Sequence, residues 1–276
     1  MKTRKLRGMT LPRALHAEAL RLHRSPLVPL HLACALAAGL ACGAYFSYAP
    51  WDTALGADAS VQLLGAMMPL MAGIVCGLDA DAEGEATGHA ALLAAPSRGI
   101  ALAARLAALW LMGTVALALA IGLLAGILSL VGRNPFEAGV WARAVAGTSF
   151  GSLPLYLLLY AVALRWGRNA TIAAGAAGLM LALFSVGGLA HGLMTGTLTA
   201  LGANAFSYLP VSWPVRLGSL SVELAIAAGA ADVAGAAAGT GSALASAWSL
   251  CAAASILLAG AEALWIARFE PARRGD

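Results

Sequence analysis

The chain has 276 residues, of which 61% are apolar and only 11% charged, with a mean hydropathy of +0.81. Soluble domains sit nearer half apolar and a quarter charged, so a water-soluble fold of this length has no interior large enough for so much apolar surface. The net charge of +4 sits beside apolar segments, which points to membrane topology rather than to a nucleic-acid partner.

The expected fold is all-α, one polytopic transmembrane domain over residues 1–276 with no room for a second soluble domain. Residues 10–25 are amphipathic. On a helical wheel Leu11, Leu15 and Leu22 share one face and Arg13, Arg21 and Arg24 gather opposite, with Leu20 breaking the pattern. Such a helix lies flat on a bilayer, its basic face toward anionic headgroups. A basic tail that only sets topology is the alternative. Pro26 and Pro29 then turn the chain into the first apolar segment.

Six transmembrane helices are expected, since about 20 residues at about 1.5 Å each cross the hydrocarbon layer. They run roughly over 27–48, 60–78, 106–131, between Arg143 and Arg165, 170–190 and 246–267. The fourth and fifth are separated only by Arg165-Trp166-Gly167-Arg168. The first is long and lacks a clear cleavage site, so it reads as a retained anchor. With the N-terminus inside, fourteen Lys and Arg residues fall on the inner side and only Arg133, Arg143 and Arg216 outside. Both termini are therefore expected in the cytoplasm. Trp51, Trp141, Trp166, Trp213 and Trp265 lie near span ends, where an indole prefers to sit.

Two connections carry more than topology. Residues 79–98 form a cytoplasmic loop with four carboxylates at Asp79, Asp81, Glu83 and Glu85, then a short helix with Leu92 and Leu93 that Pro96 stops. Acidic groups suit the positive start of such a helix. The segment reads as a docking element for a soluble partner, with a solvated acidic loop as the alternative. Residues 191–245 are too apolar for an ordinary outer loop and contain the breakers Pro210, Trp213 and Pro214. They are expected to cap the bundle or re-enter it, covered by protein, with an extra pair of spans as the alternative.

No catalytic constellation, cofactor site or metal cluster is legible. Cys34, Cys42, Cys76 and Cys251 all lie in apolar segments without a CxxC pair, and behave as small hydrophobes. His89 stands alone. Glu262, near the inner end of the last span, reaches the interface rather than serving a proton relay. Neither an inverted repeat nor mid-membrane charges of a coupling-ion transporter are evident.

The layout resembles the ABC-2-type transporter permeases. The resemblance rests on an N-terminal amphipathic helix carrying Glu18, on six spans, and on a loop of the form Glu-x-x-Gly-x-x-x-Leu-Leu-x-x-Pro-x-Arg. Here that loop reads Glu85, Gly88, Leu92, Leu93, Pro96 and Arg98, with Glu83 just before it. The stretch Glu18-Ala-Leu-Arg-Leu-His-Arg-Ser25 is most similar to the permease subunits of lantibiotic-immunity transporters.

The resemblance implies a non-enzymatic export subunit in a bacterial cytoplasmic membrane. Its partners would be a separate ABC ATPase in two copies, which holds ATP and Mg, and a second permease, identical or related. The loop would serve as coupling helix, beside the interfacial residues Leu11, Leu15, Glu18, Arg21, Leu22 and Arg24. The cargo would be a hydrophobic or amphipathic antimicrobial peptide. An ABC-2 permease for a drug, lipid or polysaccharide precursor, or a non-transporting membrane scaffold, are the other readings.

Overall fold

The structure is a computed structural model that describes residues 9–188, 190–229 and 233–269. Lys2, Arg4, Lys5, Arg7, Arg273 and Arg274, counted among the inner basic residues, lie outside the described residues. Every regular element among the described residues is helical: α1 Leu11–His23, α2 Leu27–Tyr48, α3 Thr53–Thr87, α4 Ala90–Leu93, α5 Arg98–Leu130, α6 Ala138–Ser185, α7 His191–Thr195, α8 Trp213–Ala228 and α9 Val233–Arg268. Five of them, α2, α3, α5, α6 and α9, are long and apolar enough to cross a membrane, in keeping with a multi-pass membrane protein.

α3 begins where Asp52 caps it, its carboxylate accepting from the Ala54 and Leu55 amides at 3.0 and 2.9 Å. It does not stop at Leu78. Ala, Asp and Glu carry no helix-breaking geometry, so the helix runs through the acidic stretch to Gly88, which takes the left-handed φ of +60° that closes it. The four carboxylates therefore occupy the last turns of α3, not the start of a loop helix. That is the unfavourable end of the helix dipole for negative charge, and something else must hold them there.

α6 is 48 residues long, roughly 70 Å if straight, and it is not straight. Gly167 has φ +82° and ψ −179°, and the two arms fold back on the same stretch of α3. Cys76 donates its thiol to the Tyr156 carbonyl and Asp79 meets Tyr160 in the first arm. Gly77 and Gly73 then face Arg168 and Thr171 of the second. Backbones come so close that a Cβ on Gly73 would lie 2.8 Å from the Thr171 carbonyl, and one on Gly175 2.7 Å from that of Pro69. Small residues at such crossings let helices pack where apolar solvent gives no drive to associate. On the other flank Gly39 and Gly43 of α2 fit against Ala120 and Ile127 of α5.

The 191–245 segment resolves into α7, two 3₁₀ turns and α8, and its last part is already helix, since α9 starts at Val233 rather than near Ser246. α8 is buried from Trp213 through Glu223, enclosed by α3, α6 and α9. At 16 residues it is about 24 Å long, short of the roughly 30 Å hydrocarbon thickness.

Gly167→Val is expected to lower the melting temperature, because a branched side chain at this φ costs on the order of 1–3 kcal/mol. Gly126→Ala, inside α5 with open space around it, serves as the matched control and is expected to leave melting unchanged or raise it slightly.

Candidate functional site

Residues 79 and 83 stand one helical turn apart and share a face of α3, while 81 and 85 share the opposite one. The inward pair is buried. Arg105, two turns inside α5, lies 3% exposed in its side chain between them, paired with Glu83 and 3.8 Å from Asp79. Tyr160 of α6 completes the contact: its hydroxyl accepts from Arg105 at 3.1 Å and donates to Asp79 at 3.2 Å.

α1 enters this cluster from the side. Its protein-facing stripe is Ala14, Glu18, Arg21 and Leu22, with Ala14 and Leu22 buried. Arg21 reaches Asp79 at 2.7 Å and Glu18 at 2.6 Å, and Glu18 reaches Arg105 at 3.4 Å. Burial opposes the Arg21 charge, but Asp79 and Glu18 outweigh it and push its pKa above the ordinary value. The wheel placed Arg21 with Arg13 and Arg24 on an outward basic face. The structure corrects this, because ion pairing with a buried Asp79 outcompetes headgroup contact. Arg13 and Arg24 remain exposed, as do Leu11 and Leu20, and Leu15 is half-buried.

Three carboxylates and two guanidiniums thus lock α1, α3 and α5 together. This arrangement is what holds acidic groups at the unfavourable end of α3. It also extends to the connection that follows. Glu83 accepts from the Leu92 amide at 3.2 Å, and Leu92, 1% exposed, is part of the core. Leu92 is a structural anchor rather than a docking residue. Leu93 is half-buried, whereas Glu85, Gly88, Ala90, Ala91 and Pro96 are exposed. Arg98 donates to the Leu93 and Phe269 carbonyls, both at 3.1 Å, tying the turn to the end of α9. Asp81 pairs with Arg168 at 2.9 Å beside the Gly167 bend. A cavity of about 410 Å³ opens between Arg21, Pro26, Asp79, Glu85 and Arg168.

The sequence reading missed Asp79, Arg105 and Tyr160 as partners in one site. The available signal was the i, i+4 spacing of Asp79 and Glu83 together with Arg105 standing directly before the next apolar run.

A second buried polar group lies toward the other end of α3. Asp58 accepts from Ser219 at 2.6 Å and Gln62 at 2.8 Å, and Gln62 also reaches Thr199. Glu223 accepts from the Ala200 and Leu201 amides at 2.8 and 2.9 Å, and Arg216 donates to the Ala200 carbonyl at 3.0 Å. These bonds pair the backbone of Ala200 and Leu201 and so fasten the largely exposed 196–208 connection to α8. Among the described residues no group of His, Cys, Asp and Glu is placed to hold a metal. Compared with protein-family models, curated proteins and solved structures, the chain matches none.

Arg105→Met is expected to destabilise by about 3–5 kcal/mol, since it leaves buried carboxylates without their counter-charge. Adding Asp79→Asn should recover part of the loss. A cycle of thermal or denaturant melts is expected to give a coupling of about 0.5–3 kcal/mol; simple additivity would show that the two side chains do not interact.

Proposed function

We propose that this chain is the membrane-spanning subunit of an ATP-driven exporter of the ABC-2 permease type, seated in a bacterial cytoplasmic membrane. It crosses six times, the two arms of α6 counted separately, with both termini in the cytoplasm. The observation that carries this reading is the ionic lock at the basic end. It joins a peripheral helix, the end of a long apolar helix and the following turn into one body, as a subunit pushed from the cytoplasm requires.

The parts then have distinct tasks. The exposed face formed by Glu85, Gly88, Ala90 and Ala91 meets a separate ATPase, which holds ATP and Mg. Leu92, Glu83 and Arg98 fasten that face to α3, α5 and α9. α1 lies along the inner leaflet with Arg13 and Arg24 outward, and is dragged with α3 through Arg21. ATP-driven motion of the partner is passed to the helix ends as a rigid displacement, which switches the packing of two permease subunits between two states. The resemblance to lantibiotic-immunity permeases supports an amphipathic antimicrobial peptide as cargo.

The test is extraction of the tagged chain from its native membrane in mild detergent. An ATPase subunit is expected to co-purify. Glu85→Lys combined with Ala91→Glu changes only exposed positions, so the ATPase yield should fall at least about tenfold (about 1.4 kcal/mol) while the chain's own yield holds. Recovery of the chain alone, where known ABC complexes survive extraction, would contradict the reading. Leu92→Asp is expected to cost yield of the chain itself, because it buries an unpaired charge.

A further inference from the structure

A second cavity, of about 300 Å³, lies among α2, α3, α5 and α6, one to two helical turns from the ionic lock along α3, α5 and α6. Its walls carry Met67, Met68 and Met71 on one side and Ala35, Ala116 and Leu117 on the others, and no lining residue is charged. Volume and apolar character match sites that hold small molecules, which typically add a few placed polar groups. Two such groups are present. His31 and Tyr156 both line the cavity and are 4% and 1% exposed, and the His31 Nε2 and Tyr156 hydroxyl have no hydrogen-bond partner among the described residues.

Their chemistry is complementary. The His31 Nδ1 lies 2.8 Å from the Leu27 carbonyl, which can only accept, so Nδ1 carries the hydrogen and the neutral ring presents Nε2 as an acceptor. The Tyr156 hydroxyl is available to donate. Gly113, also in the cavity wall, makes room for it: a Cβ there would stand 2.3 Å from that oxygen. A buried polar atom left without a partner costs about 1–3 kcal/mol, and two in one apolar chamber are accounted for by an occupant that satisfies them.

We propose that this cavity binds an uncharged, largely apolar molecule bearing hydroxyl-type groups, donating to His31 and accepting from Tyr156. A charged ligand is disfavoured, because the walls offer it no counter-charge. The methionines give a wall that adapts to chain shape, and the exposed Cys34 and Ala37 at the rim place the opening on the outer surface of α2. An aliphatic alcohol is the simplest probe of this chemistry, whether the natural occupant is a bilayer component or a molecule in transit.

The purified full chain in phospholipid nanodiscs would be labelled with a diazirine-bearing medium-chain aliphatic alcohol and mapped by peptide mass spectrometry. Saturable labelling of the peptides spanning Met67–Met71 and Gly113–Ala120 is expected. The unlabelled alcohol should compete at least about tenfold better than the alkane of equal length, the discrimination of one or two hydrogen bonds. Ala116→Phe fills the cavity and should abolish labelling. Tyr156→Phe should weaken it roughly fivefold (about 1 kcal/mol) with melting unchanged or raised, whereas a merely structural hydroxyl would lower melting. Unsaturable labelling spread over exposed helix faces, equal competition by the alkane, or full binding by Tyr156→Phe would each overturn the proposal. Organic extracts of wild type and Ala116→Phe separate the sources. A hydroxylated lipid depleted in the variant identifies a bilayer occupant, and probe binding with nothing co-extracted identifies one that arrives from elsewhere; either supports the site.

Discussion

Two guanidiniums and three carboxylates paired at one end of the bundle, with Arg105, Asp79 and Glu83 buried, are the constraint on which the rest depends. Desolvating each charge costs several kcal/mol, and only mutual pairing offsets it. Arg105 cannot remain beside α3 unless Asp79 and Glu83 are there, and Asp79 is satisfied only with Arg21 and Tyr160 in place. The lock therefore fixes the register of α1, α3, α5 and the first arm of α6 more tightly than apolar packing alone, which tolerates sliding. Glycine-lined crossings such as Gly73 on Thr171 do the same by shape farther along α3.

The two polar clusters divide the labour along α3. At the α1 end, charges on several helices converge and extend to the turn around Leu92. Toward the other end, Asp58, Glu223 and Arg216 bond mainly to neutral side chains and to loop backbone, so the 196–208 connection is fastened to α3 and α8. In the transport reading the first cluster receives a force and the second seals the far side. Between them lies the apolar chamber with His31 and Tyr156, where polar atoms have been left for something else to meet.

Much of this was legible from residue order, and the failures have physical causes. The long apolar helices follow from charge-free runs of about 20 residues, and the break at Gly167 from a glycine between two arginines. Boundaries were less legible. Hydropathy ends a span at the first charge, whereas α3 continues to Thr87 because backbone hydrogen bonding ignores side-chain polarity, and α9 begins at Val233 because the Ala/Gly-rich stretch over 233–245 reads as turn yet is helical. Arg21 was assigned outward because a wheel sees one helix at a time, and its partner Asp79 lies 58 positions along the chain. Leu92 was read as a docking residue for the same reason: its burial against α3 and α5 is a tertiary fact. The i, i+4 spacing of Asp58 and Gln62 was the one local sign of their group, and Ser219 joins it from far along the chain.

The central claim is that α1 moves as one body with α3 and α5 because Arg21 and Glu18 are bound into their charges. Hydrogen exchange of the α1 backbone amides in the purified chain tests it most directly, since local opening reports the free energy holding an element in place. The account predicts that residues 14–22 exchange slowly in the wild type, near the rate of the adjoining turns of α5, and rapidly in Asp79→Asn. Fast exchange throughout α1 in the wild type, or protection untouched by the loss of the Asp79 charge, would contradict it.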